Sequence, residues 1–419
     1  MPPISGEIAY LFRHALLREG AYQLQLPGER ARLHVLALQI LESLYAQDPE
    51  ECDFVGSEMA EHARQALLSP ESFSPAEVRE LTLSEHRWLS QAATAAKKSY
   101  RLADAVSCFE RLSVHSLSSQ EQRAASLGRA GAACAALFRW AEAGSYLERA
   151  ITIAQTHGLV GLESRLMGEL SNIHATLGKR AEMQAAMQRQ LKLALQSGDA
   201  FALALYHIDS GAAEESAGNL VAAEAGYTAA LDLLDRAGRT HFKPKLLGNI
   251  ANTLRDRGEY HRAEKLYAEA IAGHKLAGDI VALGNDTGNL GSNFRLQGRF
   301  DEAVTYYERS IAILKQTPYR SMEGIYWHNL GMTRSAQGRL HEAAEAYAPA
   351  AANLAQGYDH GNACLAACHL AAIHERQGNN AEARCNIEAA HHMWREAGLT
   401  DCDVRAAAAL LEERQRWPK

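Results

Sequence analysis

The sequence predicts an all-α protein, a solenoid of about eight helical hairpins, and three observations carry that prediction. First, Gly178, Gly218, Gly258, Gly298, Gly338 and Gly378 stand 40 residues apart without a slip. With 31 glycines in 419 residues, five further hits at a fixed step would arise by chance roughly twice in a million trials. Second, small and large residues keep the same step. Five places after each turn stand Ala143, Ala223, Ala263, Ala303, Ala343 and Ala383, with Met183 the exception; nine places after stand Leu147, Met187, Tyr227, Tyr267, Tyr307, Tyr347 and Ile387. A small residue followed four places later by a large one sets a hole and a knob on one helix face. Third, the stretch 283–315, LGNDTGNLGSNFRLQGRFDEAVTYYERSIAILK, has two halves with apolar residues three and four apart, separated by Gln297, Gly298 and Arg299, which is the pattern of two amphipathic helices and a turn.

The elements follow in order. Residues 7–68 lie outside the period and read as a short strand Ile8 to Arg13, a helix through HALLREGAYQLQ, a break at Pro27 and Gly28, and a second helix from Glu29 to about Ala46. A connector, Ala46 to Leu81, holds a helix near Phe54 to Leu67 and the loop SPESFSPAEVRE. Ser74 before Pro75, with Glu77 three residues on, is an N-cap signature for a helix Pro75 to Lys97 that opens the first hairpin. Its turn falls near Tyr100, and in the next hairpin Phe138 replaces the turn glycine. A second set of breaks ends each hairpin at Gly158, Gly198, Gly238, Gly278, Pro318 and Gly398, with Gly357 one residue early. Glycine ends a helix by allowing the left-handed cap and proline by refusing to continue. Asp401 to Trp417 reads as one more amphipathic helix, the polar-faced terminal cap that a solenoid needs. The expected division is 1–46, 47–81, a repeat array 82–399 and a cap 400–419.

Composition narrows the classes. With 47% apolar and 22% charged residues the chain has ample core material. A net charge of −7 gives no reason to expect nucleic acid or an anionic membrane as partner. No apolar run approaches membrane-spanning length and Met1 to Glu7 lacks a secretory start, so a cytoplasmic protein is expected. Seven cysteines at irregular spacings suit reduced thiols. No GxxxxGK[ST] occurs, so the backbone nest and lysine of a phosphate-binding loop are absent. The glycine-rich GNDTGNLG (284–291) lies inside the helical period, and close helix packing accounts for it. Cys364, Cys368 and His369 lack paired knuckle spacing, and both cysteines fit small-residue packing positions. His14, Arg18 and His34 have no accompanying nucleophile. No catalytic residue, cofactor or metal is expected.

These residues resemble the tetratricopeptide repeat family in its long-helix form. In YWHNLGMTRSAQGRLHEAAEAYAPAAANL the family pattern falls on Trp327, Leu330, Gly331, Gly338, Ala343, Tyr347 and Ala350, and in the preceding copy on Leu290, Gly291, Gly298, Ala303 and Tyr307. The segment YLFRHALLREGAYQLQLPGERARLH resembles the winged-helix region before the repeat arrays of bacterial STAND signalling ATPases and related multidomain kinases, through Phe12, Arg13, His14, Ala15, Leu16, Arg18, Glu19, Ala21, Tyr22, Leu26, Arg30, Leu33 and His34. It implies that the chain is the carboxy-terminal part of such a protein. The repeat resemblance implies a right-handed superhelix whose first helices line a concave groove. Nine places before each turn that face carries Arg129, Glu169, Asp209, Asn249, Asn289, Asn329 and His369. An asparagine there can donate to a carbonyl and accept from an N–H of an extended peptide. Lys245, Asn249, Asn252, Arg255, Asn289, Arg295 and Asn329 are therefore the expected binding floor, with an acidic approach at Glu169, Asp209, Glu214 and Glu215. Asn252 and Asn289 coincide with part of the chaperone-type carboxylate clamp, but Gly248, Ile325 and Asn329 stand where that clamp has basic residues, so no terminal-carboxylate clamp is expected. The expected function is a non-enzymatic scaffold or sensor for a protein or peptide, with homo-oligomerisation open. The alternative is a sensor of a small ligand or nucleic acid, with a pocket built on Phe294, Tyr326 and Trp327.

Overall fold

The computed structural model describes residues 22, 24–45, 49–357 and 359–397. Eighteen α-helices and two short 3-10 turns make up the described residues, with no strand among them. The helices are α1 (Pro27–Tyr45), α2 (Pro49–Ala66), α3 (Pro75–Lys98), α4 (Leu102–Val114), α5 (Gln120–Ala136), α6 (Trp140–Thr156), α7 (Val160–Thr176), α8 (Arg180–Ser197) and α9 (Ala200–Ser216). They continue with α10 (Leu220–Arg236), α11 (Lys243–Asp256), α12 (Tyr260–Ala277), α13 (Ile280–Leu296), α14 (Phe300–Leu314), α15 (Arg320–Ala336), α16 (Leu340–Gln356), α17 (His360–Arg376) and α18 (Asn380–Ala397). From α3 onward they pair into eight hairpins, as expected. The expected strand, the start of the winged-helix segment, Gly398 and the terminal capping helix lie outside the described residues. The chain forms two compact units, Met1–Ala202 and Leu203–Lys419.

In the first unit, α2 and α3 bury Met59, Ala60, Ala63, Leu89, Ala92, Ala93 and Ala96 in one core with Phe109 of α4 and Leu38 of α1. Alanines at this contact let the helix axes approach closely. α3 begins as the sequence signalled: Ser74 caps the Glu77 N–H while Glu77 returns a bond to the Ser74 N–H at 2.7 Å. Pro27 and Gly28 do not break the chain but form the first turn of α1, since proline at the first helical position gives up only an N–H that has no partner there. Arg111 bridges Glu61 (3.3 Å) and Glu85 (3.0 Å), and His115 lies 3.6 Å from Glu85. Hydrogen bonding from Arg64 holds the Glu61 carboxyl down at about 2.

The second unit shows the hairpin in its clearest form. At Gly298 the chain takes φ +75°, and the Arg299 N–H reaches back to the Phe294 carbonyl at 3.0 Å, the six-to-one bond of a Schellman cap. Across α13–α14 and α15–α16 a tyrosine fills the place of a missing side chain. A Cβ on Gly291 would stand 3.0 Å from Tyr307, and one on Gly331 would stand 2.9 Å from Tyr347. Tyr227, Tyr267, Tyr307 and Tyr347 are all fully buried, as are the alanines four places before them. Gly357 departs from expectation. Its φ of −84° is right-handed, and it is glycine for space, because a Cβ would meet the Ser321 backbone nitrogen at 2.5 Å.

Candidate functional site

The first helices of successive hairpins in the second unit, α11, α13 and α15, carry the asparagine column. Asn249, Asn289 and Asn329 are each half-buried. The main-chain carbonyls of Asn249 and Asn329 accept from Thr253 and Thr333 hydroxyls, while their side-chain amides bond to nothing among the described residues. Asn289 differs: its Oδ1 accepts from the Tyr326 hydroxyl at 3.2 Å, which also donates toward Asn285. Lys245 is exposed at the start of α11.

Two expected floor residues serve the fold. Asn252 Oδ1 accepts from the Tyr267 hydroxyl at 2.6 Å and from Arg255 at 3.3 Å. Arg255 Nε in turn donates to Asp256 at 2.8 Å. A buried phenol needs such a partner, and each knob tyrosine from Tyr227 to Tyr307 finds one on its first helix: Glu215 at 2.7 Å, Asn252, then Ser292 at 3.1 Å. Glu215 of the acidic approach is thereby tied inward, and Glu214 accepts from Asn219. Arg295 occupies the same place in α13 as Arg255 in α11. It is half-buried, its Nε is buried without an acceptor, and no carboxylate lies within 4.0 Å of it among the described residues.

Beyond Arg295, α15 and α17 add an aromatic and imidazole group that sequence reading missed. His369 stacks on Tyr347 with ring centres 5.2 Å apart, and His328 lies 5.3 Å from His369 and 5.5 Å from Tyr347. Burial, then the nearby His369 and Arg295, lower His328 to about 4, so its ring is neutral near pH 7. The available signal was the column reading Gly248, Gly288, His328, in which only the last carries a side chain. A second missed feature is the buried pair His274 and Asp286, 3.4 Å apart; Gly248 leaves the room that Asp286 occupies, and burial pushes the Asp286 carboxyl up.

The residues suggested for a small-ligand pocket are packing residues. Phe294 and Tyr326 are buried, and the Tyr326 ring lies where a Gly288 side chain would stand. Trp327 donates to Glu323 at 3.1 Å beneath Lys315. The glycine-rich run 284–291 is accounted for by close approach, to Leu314, Tyr326 and Tyr307 at Gly284, Gly288 and Gly291. Cys364 is buried against Ala367 and Ala390, and among the described residues no three potential ligands gather as a metal site. His34 bonds Tyr22 at 2.7 Å and His62 at 2.8 Å. No described helix is long and apolar enough to cross a membrane.

Fold and hairpin geometry define an all-α helical-repeat protein. Residues 242–316 and 280–354 match the model of the tetratricopeptide repeat, and helical hairpins of the same kind recur on either side of them. No curated protein matches it in sequence. Three solved structures share its fold at low identity. A Signal Transduction ATPase with Numerous Domains protein with a tetratricopeptide repeat sensor, from Pyrococcus horikoshii, is 14% identical over 79% of this chain and 52% of its own, with a TM-score of 0.55. This chain thus spans about half of that protein. The apo quorum sensor NprR from B. thuringiensis is 13% identical over 84% of this chain and 99% of its own, at 0.52. Aspartyl phosphate phosphatase F from Bacillus subtilis is 13% identical over 85% and 97%, at 0.50.

Proposed function

We propose that this chain is a non-enzymatic sensor or scaffold whose array, residues 82–399, docks an extended peptide or protein segment along the first helices of its middle hairpins. The observation that carries the reading is the pair of half-buried amides, Asn249 and Asn329, that recur in one column and bond to nothing among the described residues. Asparagine is a poor helix former, and Asn252 and Asn293 earn their places internally, Asn293 by donating to the Tyr260 carbonyl at 3.1 Å. Asn249 and Asn329 have no such use. Each is set to pair with a peptide backbone in both directions. Lys245 and Arg295 flank them, and Asn289 shares its oxygen with Tyr326. Two fold neighbours, a signalling ATPase with a repeat sensor and a quorum sensor, agree with this class of role, and the first suggests a signalling domain attached upstream.

Random dodecapeptides displayed on phage and selected on the full chain test the reading. At about 1 kcal/mol for each amide pair, Asn249→Ala with Asn329→Ala should weaken selected peptides about thirtyfold without changing the melting temperature. Equal binding by the double variant would contradict it.

A further inference from the structure

We infer that Arg295 is the anchor of an anion subsite that takes one carboxylate side chain, Asp or Glu, of the docked segment; this rests on the proposed docking face. Among the described residues Arg101, Arg111, Arg295 and Arg334 each bury an Nε without an acceptor. Three of them hold carboxylates through their outer nitrogens: Arg101 with Asp104, Arg111 with Glu61 and Glu85, Arg334 with Glu308 and Glu342. Arg295 holds none.

The comparison one repeat earlier shows what is missing. Arg255 gives its Nε to Asp256 at 2.8 Å and an outer nitrogen to Asn252. In α13 the corresponding residues are Leu296 and Ser292, and the Ser292 hydroxyl is engaged by Tyr307 at 3.1 Å. Arg295 donates to the Tyr307 hydroxyl, as Arg255 does to Tyr267, but among the described residues no carboxylate takes the place that Asp256 has beside Arg255, and the Arg295 Nε is left without an acceptor. A half-buried guanidinium without an anion is a costly arrangement, and a carboxylate satisfies its planar fork in two bonds.

The surroundings fit a singly charged guest. His328 of the next first helix has a buried Nε2 without a partner, and its neighbours His369 and Tyr347 lie within 5.5 Å, ring centre to ring centre. Beside His328 stands Asn329, whose amide is unengaged. One fixed positive charge matches a carboxylate; a phosphate dianion would call for a second cation, and Arg255, Arg299 and Arg334 are already paired, with Asp256, with Glu264 and Glu302, and with Glu308 and Glu342.

The test uses peptides selected by display on the full chain. Sequences are expected to share one acidic position, and its replacement by Asn or Gln should weaken binding to wild type by at least about tenfold but to Arg295→Gln by less than about twofold. Selected peptides without a shared acidic position, or equal weakening in both proteins, would overturn the subsite. If such peptides still lose affinity on Asn249→Ala with Asn329→Ala, the docking face stands and only the subsite falls. Should no peptide be selected, N-acetyl-aspartate N-methylamide serves as the probe on histidine-labelled full chain. A rise in the His328 titration midpoint in wild type but not in Arg295→Gln supports the subsite, and an unmoved midpoint overturns it.

Discussion

The hairpins α3–α4 and α5–α6 of the first unit and α13–α14 and α15–α16 of the second reach the same geometry by different means. In the later pair the turns are glycine and the knobs are tyrosines seated on glycines. In the earlier pair the turn residues are Tyr100 and Phe138, held at φ +56° and +59°, and the knobs are Phe109 and Leu147. The cap bonds are nonetheless alike: Arg101 to Ala96 at 2.8 Å, Arg139 to Cys134 at 2.9 Å, Arg299 to Phe294 at 3.0 Å. What each hairpin requires is a left-handed residue at the reversal and a large side chain opposite a small one. Residue identity decides the cost, and in the later hairpins it also decides which first-helix side chains are consumed by tyrosine hydroxyls.

The largest expected effect comes from emptying a knob. Tyr307→Ala should destabilise the second unit by about 4 kcal/mol, as for large aromatic truncations, whereas Tyr307→Phe, which loses the hydroxyl's bonds to Ser292 and Arg295, should cost about 1 to 2 kcal/mol. Urea unfolding followed by circular dichroism separates the two. If Tyr307→Phe matched Tyr307→Ala, the hydroxyl rather than the ring would be holding the hairpin.

The next effect is a pH dependence. His328 sits at about 4 against an ordinary value of 6.5, so between those values the unfolded chain takes up the proton and the folded chain resists it. Stability is therefore full above about pH 6.5 and falls as the pH drops toward 4, by about 3 kcal/mol in all. His328→Gln should remove that share of the acid sensitivity, while His369, Arg295 and Tyr347, the groups around the ring, stay in place. An unchanged pH profile would mean that the imidazole is not buried as described.

A smaller effect tests the glycine holes. Gly288→Ala must displace the buried Tyr326 ring and should cost about 2 kcal/mol. Gly144→Ala in α6, where a Cβ meets nothing within 4 Å, should instead stabilise by about 0.5 to 1 kcal/mol. The smallest sharpens the comparison of turns. Phe138→Gly should stabilise the first unit by about 1 kcal/mol by relieving the left-handed strain, because the ring is half exposed and its main contact is Trp140. Thermal melts that moved in the opposite direction would show that the ring contributes more than the strain costs.

Much of this was legible in the sequence because it repeats. The turn glycines, the alanine and tyrosine columns and the Ser74 cap each occur at a fixed step or as a local signature, and eight hairpins follow from them. Features that join one hairpin to the next were not legible. Tyr326 fills the space over Gly288, yet its own column holds Leu246 and Asp286 in the two preceding repeats, so no period marks it. Gly357 matches the left-handed caps in sequence, and its close approach to Ser321 is a contact between hairpins that no period marks. In the site, the asparagine column was visible, but the diversion of Asn252 to Tyr267 was not, since it depends on how far a phenol on the second helix reaches. Arg295 and Arg255 looked equivalent until their neighbours could be compared.

Amide hydrogen exchange of the full chain, with and without a selected peptide, tests the docking face most directly. The account predicts added protection and slowed opening in the first helices α11, α13 and α15, centred on residues 245–255, 285–295 and 325–335, with little change in the second helices α12, α14 and α16. Protection confined to the second helices, or to the first unit, would contradict it.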